Sequence, residues 1–144
     1  MENKKEIKGY QLFDVNTNGS FPRVTLNGKW NFINQDGKLL SEQWFEYCRS
    51  FNDGFAKVEL NDKYNFINQE GKLLSNQWFD NCGLFSKGFA IVGLNNKDNF
   101  INKNGKFLSE QWFDDCSPFC DGFAVVKLNG KEYKIDYNGK LHKI

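Results

Sequence analysis

Apolar and polar residues alternate with period two through "GFAKVELNDKYNFINQEGKLL", Gly54 to Leu74. Ala56, Val58 and Leu60 fall on one side of a strand, with Lys57 and Glu59 on the other. The apolar set returns as Ala90, Val92, Leu94 and as Ala124, Val126, Leu128, while the opposite set drifts to Ile91 and Gly93, then to Val125 and Lys127. Ile33, Ile67, Ile101 and Ile135 hold an apolar position in a second strand. These lanes predict a core. Asn27-Gly28 and Asn129-Gly130 are type I′ hairpin signals, and Asn61-Asp62 and Asn95-Asn96 fill the same slot with residues that tolerate positive φ. "NQDG", "NQEG", "NKNG" and "DYNG" each end in a glycine suited to the left-handed position of a longer loop. Each unit therefore reads as strand, tight turn, strand, loop and short strand.

The unit repeats. Gly54, Gly88 and Gly122 lie 34 residues apart, as do Trp44, Trp78 and Trp112, and Leu26, Leu60, Leu94 and Leu128. Helix-pair repeats share that length, but so many turn formers exclude them. The fold class is all-β: an array of antiparallel β-hairpin repeats of 34 residues in one repeat domain over 1–144. It divides into a frayed leader (1–9), a degenerate N-terminal repeat (10–50), two full repeats (51–84 and 85–118) and a truncated capping repeat (119–144). Lys134 stands where Phe32, Phe66 and Phe100 sit, and His142 where Leu40, Leu74 and Leu108 sit, as in the polar outer face of a terminal repeat. "YQLFD" precedes "WFEYC" by one period, so it either completes the last repeat, closing a four-unit propeller-like ring, or opens the first repeat of an open stack. The degenerate ends favour the open stack. "SEQWFEYC", Ser41 to Cys48, stays ambiguous: Ser41 could cap one helical turn, or the segment could be extended.

Composition narrows the function. Aromatics make up 17% of the 144 residues, with fifteen Phe, which describes a globular chain. Nineteen basic and eighteen acidic residues give a net charge of +1, so no global field attracts nucleic acid or an anionic membrane. No apolar run spans a membrane, and the charged N-terminus has no signal-peptide core, so a cytoplasmic location is expected. Cys48, Cys82 and Cys116 recur a full period apart with one His in the chain, which suits small buried thiols and not a metal site. His142 near the end offers no nucleophile–base arrangement; Asp114-Asp115 and the equivalent Asp80 and Glu46 recur with the fold instead of forming one acid pair, and Asp80 and Asp114 are expected to accept backbone hydrogen bonds in the corner before the next strand. We expect no enzyme activity, no cofactor and no metal.

"FNDGFAKV", "NGKWNFIN", "DGKLL" and "WFDNC" occur in the order that resembles the WG-repeat family of bacterial proteins, named after a Trp-Gly pair. The resemblance covers about residues 10 to 144 and implies β-hairpin repeats without a common catalytic site. The signature Trp is present as Trp30 and becomes Tyr64, Asp98 and Glu132, while its Gly becomes Asn31, Asn65, Asn99 and Tyr133. Asn at those positions suggests a retained positive φ. A lane that admits Trp, Tyr, Asp and Glu is expected at the surface.

The fixed lanes (Trp44, Trp78, Trp112, Cys48, Cys82, Cys116) are therefore read as structural repeat core, and the variable lanes as binding surface: Trp30, Tyr64, Phe32, Phe66 and Lys57. The expected function is non-enzymatic recognition of a partner protein by successive hairpins. The alternative is a nucleotide, sugar or peptide bound in an inter-repeat or subunit cleft. Neither nucleic acid nor membrane is an expected partner.

Overall fold

A computed structural model describes residues 9–13 and 21–144; the leader up to residue 8 and the stretch around Asp14 lie outside the described residues. Every regular element among the described residues is a strand. They form four antiparallel sheets: β1 (Gln11–Phe13), β2 (Arg23–Leu26) and β3 (Lys29–Phe32); β4 (Tyr47–Cys48), β5 (Phe55–Leu60) and β6 (Lys63–Asn68); β7 (Asn81–Cys82), β8 (Phe89–Leu94) and β9 (Lys97–Asn102); and β10 (Asp115–Cys116), β11 (Phe123–Leu128), β12 (Lys131–Asp136) and β13 (Leu141–Lys143). The chain divides into two compact units, Met1–Asn76 and Gln77–Ile144.

The turn chemistry is as the sequence predicts. Asn27 and Gly28 take φ values of 53° and 80°, and the paired residues at Asn61-Asp62, Asn95-Asn96 and Asn129-Gly130 are also left-handed. A second tight turn recurs at Asp53-Gly54, Lys87-Gly88 and Asp121-Gly122, all with positive φ. It joins single bridges such as Asn52 to Phe55 and hands the chain from each short strand to the next hairpin. In the longer loop, Gly71 is doubly constrained: its φ is +82°, and a Cβ there would stand 2.1 Å from the Leu40 carbonyl oxygen of the preceding repeat. Gly139 meets the Leu108 carbonyl in the same way, at 2.5 Å.

Because β1 pairs with β2, Gln11–Phe13 complete the first sheet. Each repeat thus begins with its aromatic short strand. "SEQWFEYC" is extended, not helical. Phe45 and Trp30 exchange backbone bonds of 2.7 and 2.9 Å, and Glu46 N then donates to Glu59 O at 2.8 Å. One short segment therefore ties β3 to β5, the first hairpin to the second. Asp98 with Phe113, followed by Asp114 N to Lys127 O, does the same between β9 and β11. Ser41 Oγ does accept the Gln43 amide at 3.0 Å, a cap-like bond with no helix after it.

The inner lane is core. Val58 and Ile67 are fully buried, as are Val92, Ile101 and Ile135, and Ala56, Ala90 and Ala124 are 1 to 2% exposed. In the second unit, Phe113 joins Phe100 of one hairpin to Ala124, Val126 and Ile135 of the next in a single apolar cluster. Phe45, Phe79 and Phe113 are each 0% exposed, whereas Trp44, Trp78 and Trp112 are half-buried. Within each unit the plug between hairpins is thus the Phe beside the Trp, Phe45 in the first and Phe113 in the second. Trp44 instead packs edge-on against Tyr10, one period earlier, at 5.5 Å, and Trp112 against Phe107 at 5.1 Å. Cys48 and Cys82 are buried, Cys116 is half-buried and Cys120 exposed, and all four are free thiols.

Asn31, Asn65 and Asn99 have a different role from the one the sequence suggests. None adopts positive φ. Each is a wholly buried strand residue facing the inner lane beside Val24, Val58 and Val92. Asn31 Oδ1 accepts the amides of Phe32 (2.7 Å) and Ser41 (3.2 Å), and its Nδ2 donates to the carbonyls of Ser41 (3.0 Å) and Gln43 (3.3 Å). Asn65 with Ser75 and Asn99 with Ser109 repeat the Nδ2 bond at 2.9 and 2.8 Å. The amide latches the returning loop to the hairpin and so satisfies polar groups that burial would otherwise penalise. Tyr133 occupies this position in the last repeat, and there the returning chain pairs as a strand, Tyr133 opposite Lys143.

Candidate functional site

The same alternation that buries the inner lane turns a second lane outward. In the second hairpin, Lys57 pairs with Phe66 and Glu59 with Tyr64, so these four share the outer face. Tyr47 extends it from β4, opposite Glu59. The equivalent positions of the first hairpin are Phe13, Arg23, Thr25, Trp30 and Phe32.

Not all of the sequence-predicted binding residues reach that surface. Phe32 is 0% and Phe66 1% exposed, so both belong to the core and not to a contact surface. The reason is local: Phe51, carried by the turn of the following repeat, packs on Phe32 with ring centroids 4.8 Å apart. In the second unit Phe119 covers Phe100 in the same way at 5.0 Å. Trp30, Tyr64 and Lys57 are half-buried and do reach the outer face.

Around Trp30 the face is a cation–aromatic cluster. Phe13 stacks on the indole at 5.1 Å, Tyr47 meets it edge-on at 4.9 Å, and the Arg23 guanidinium lies 5.1 Å from the ring centre. Arg23 is fixed there by bonds to the Tyr47 hydroxyl (3.2 Å) and the Cys48 carbonyl (2.9 Å). In the next hairpin Lys57 Nζ lies 4.6 Å above the Tyr64 ring. Tyr47, Arg49, Lys57, Val58, Glu59 and Tyr64 line a groove of about 260 Å³. Arg23, Arg49 and Tyr47 were not singled out from the sequence. Their signal was the two-residue step of the outer lane, which marks Arg23 and Tyr47 once the short strands are placed.

At the turn end of this hairpin, oxygens of Glu46, Glu59 and Asp62 lie within 4.8 Å of one another. Glu46 accepts the Asn61 amide at 3.0 Å, Asp80 that of Asn95 at 2.9 Å and Asp114 that of Asn129 at 2.8 Å. The recurrent acid thus anchors the tight turn of the following hairpin, the structural use expected of it. Asp114 also pairs with Lys97, whose hydrogen bond is the main cause holding its carboxyl below the usual range, helped by the Asn129 amide.

The equivalent face of the third hairpin has a different chemistry. Ile91 replaces Lys57, Gly93 replaces Glu59, and Asp98 replaces Tyr64. Burial, and then the neighbouring Asp115 charge, push the Asp98 carboxyl up. Burial is likewise the first cause that raises the Cys48 and Cys116 thiols, which disfavours the thiolate that nucleophilic or metal chemistry needs.

Among solved structures, one described as the structure of Kluyveromyces lactis Hsv2p superposes with a TM-score of 0.44 at 13% identity, over 93% of this chain and 49% of that one. This chain thus spans about half the length of that protein. A Bacteroides caccae protein described as of unknown function gives a TM-score of 0.33 at 14% identity, over 94% of this chain and 67% of that one. No curated protein matches. The model of the family described as WG containing repeat matches residues 32–64, 66–97 and 100–131. Those segments advance on the same step as the hairpins and the asparagine latches, and the chain belongs to the WG containing repeat family.

Proposed function

We propose that this β-repeat protein is a non-enzymatic recognition module, holding a partner protein against the outer face of its first two hairpins. The observation that carries the reading is the cation–aromatic cluster of Arg23, Trp30 and Tyr47, continued by Lys57 and Tyr64 along one lane. Trp, Tyr and Arg are the residue types that supply most binding energy at protein interfaces. Here their rings and guanidinium are already held in place by one another, which lowers the ordering cost of contact.

The alternative, a small ligand in an inter-repeat cleft, has a place as well. Leu40–Gln43 and Glu70–Leu73 enclose about 450 Å³. No aromatic ring lines that cleft, so it lacks the stacking surface that a nucleotide or sugar uses.

Affinity capture separates the readings. Wild-type protein is expected to retain a partner that Tyr64→Ala loses, with Lys131→Ala, an exposed change on the last hairpin, as control. Thermal shift against a nucleotide and sugar panel is expected to show no stabilisation; several degrees with one compound would overturn the partner-protein reading.

A further inference from the structure

We propose that the groove on the second hairpin receives a carboxylate-bearing segment of the partner, with Arg49 and Lys57 as the pair that holds the anion. The inference rests on the recognition surface argued above and names the chemistry of what it binds.

Arg49 follows β4, whose register sets Tyr47 against Glu59 and Cys48 against Val58. The next step puts Arg49 opposite Lys57, and the Arg49 amide donates to the Lys57 carbonyl at 2.9 Å. Two cations thus share one face of the strand pair, and both line the groove. The third hairpin places Gly83 opposite Ile91 and the fourth Ser117 opposite Val125, so the fold itself does not require charge at this step. An anion in the groove would meet Arg49 and Lys57 together on one face. Arg23 orients the Tyr47 hydroxyl of the same lane.

The other end of the hairpin fixes where the anion goes. Glu59 lines the groove on its turn side, where it clusters with Glu46 and Asp62, so the anion's seat is the Arg49–Lys57 side. Volume and ring packing then choose the class of molecule. A groove of about 260 Å³ lies under the roughly 300 Å³ at which small-molecule pockets begin, and it suits one or two side chains. Nucleic-acid bases need open ring faces to stack on. Phe13 and Arg23 already pack on Trp30, and Lys57 lies over Tyr64. An acidic peptide needs only the cations and the phenol edges.

Fluorescence anisotropy of fluorescein-labelled hexaglutamate tests this, with labelled hexalysine and octathymidylate as the other arms. Hexaglutamate is expected to bind more tightly than either and to weaken as salt rises. The double variant Arg49→Gln, Lys57→Gln is expected to lose at least tenfold in affinity while its unfolding midpoint stays level or rises. Binding no tighter than hexalysine, affinity kept by the double variant, or tighter binding of octathymidylate would each overturn the proposal. Partner capture that is lost on Tyr64→Ala but indifferent to the double variant sinks the anion pair and leaves the recognition surface standing. Capture that survives Tyr64→Ala removes the surface itself.

Discussion

The second and third hairpins are the same object on one face and different objects on the other. Inward, Ala56 opposite Ile67 and Val58 opposite Asn65 are matched by Ala90 opposite Ile101 and Val92 opposite Asn99, in identical register. Outward, the second hairpin carries Tyr47, Lys57, Glu59 and Tyr64, and the third carries Asn81, Ile91, Gly93 and Asp98 at the same steps. Folding constrains the first set because each member fills a dry space or satisfies a buried polar group. The second set makes its contacts on the outer face, Tyr47 on Trp30 and Lys57 over Tyr64, and its chemistry differs between the two hairpins. The inner face can therefore stay fixed while the chemistry of the outer face changes from copy to copy.

That contrast is open to direct attack. Phe113→Ala should cost about 3–5 kcal/mol in chemical unfolding, since it empties a fully buried site between two hairpins. Trp112→Ala, at the half-buried neighbour, should cost roughly half as much. The reverse order would restore the Trp as the plug. Asn65→Ala removes the latch, its bonds to the buried Phe66 amide and to the Ser75 carbonyl, for about 1–3 kcal/mol. A neutral result would mean that water replaces the side chain.

Smaller effects follow from the thiols and from pH. Cys120 should react with a disulfide reagent at once, Cys116 slowly, and Cys48 and Cys82 only on unfolding. Mass spectrometry of the labelled chain reads the order, and early modification of Cys48 would contradict its burial. The Asp136 carboxyl is held below the usual range, first by the His142 hydrogen bond and then by the Lys140 amide. Its contribution to stability is thus complete above the ordinary carboxylate range, around pH 4, and is lost as pH falls through the lower folded value. Asp136→Asn should flatten that acid limb; an unchanged acid profile would argue against it.

Most of the fold was legible in the chain. Period-two alternation gave the strands, and the Asn-Gly class of dipeptide gave the hairpin turns, because both are local properties. The Asp53-Gly54 and Asp121-Gly122 turns carry the same signal. What the chain hid was tertiary. "QWF" presents two large aromatics side by side, and only the bridge from Trp30 to Phe45 decides that the Phe goes inward. Asn31 looked like a turn residue because Asn accepts positive φ; its role depends on Ser41, ten residues away. Phe32 and Phe66 lie in the variable lane, and the ring that buries Phe32 comes from the next repeat. Of the candidate surface, Trp30, Lys57 and Tyr64 could be found from drift between copies, whereas Arg23, Tyr47 and Arg49 needed the strand register.

If recognition resides in the outer lane, it can be exchanged without harming the fold. A variant of the second hairpin carrying the outer residues of the third (Tyr47→Asn, Arg49→Gly, Lys57→Ile, Tyr64→Asp) puts that to the test. The measurement is its dissociation constant for labelled hexaglutamate, taken on protein whose strand signal in circular dichroism matches the parent. A folded chain that has lost at least tenfold in affinity is the expected result. A folded chain that binds as the parent does would contradict it, because recognition would then lie elsewhere on the repeats.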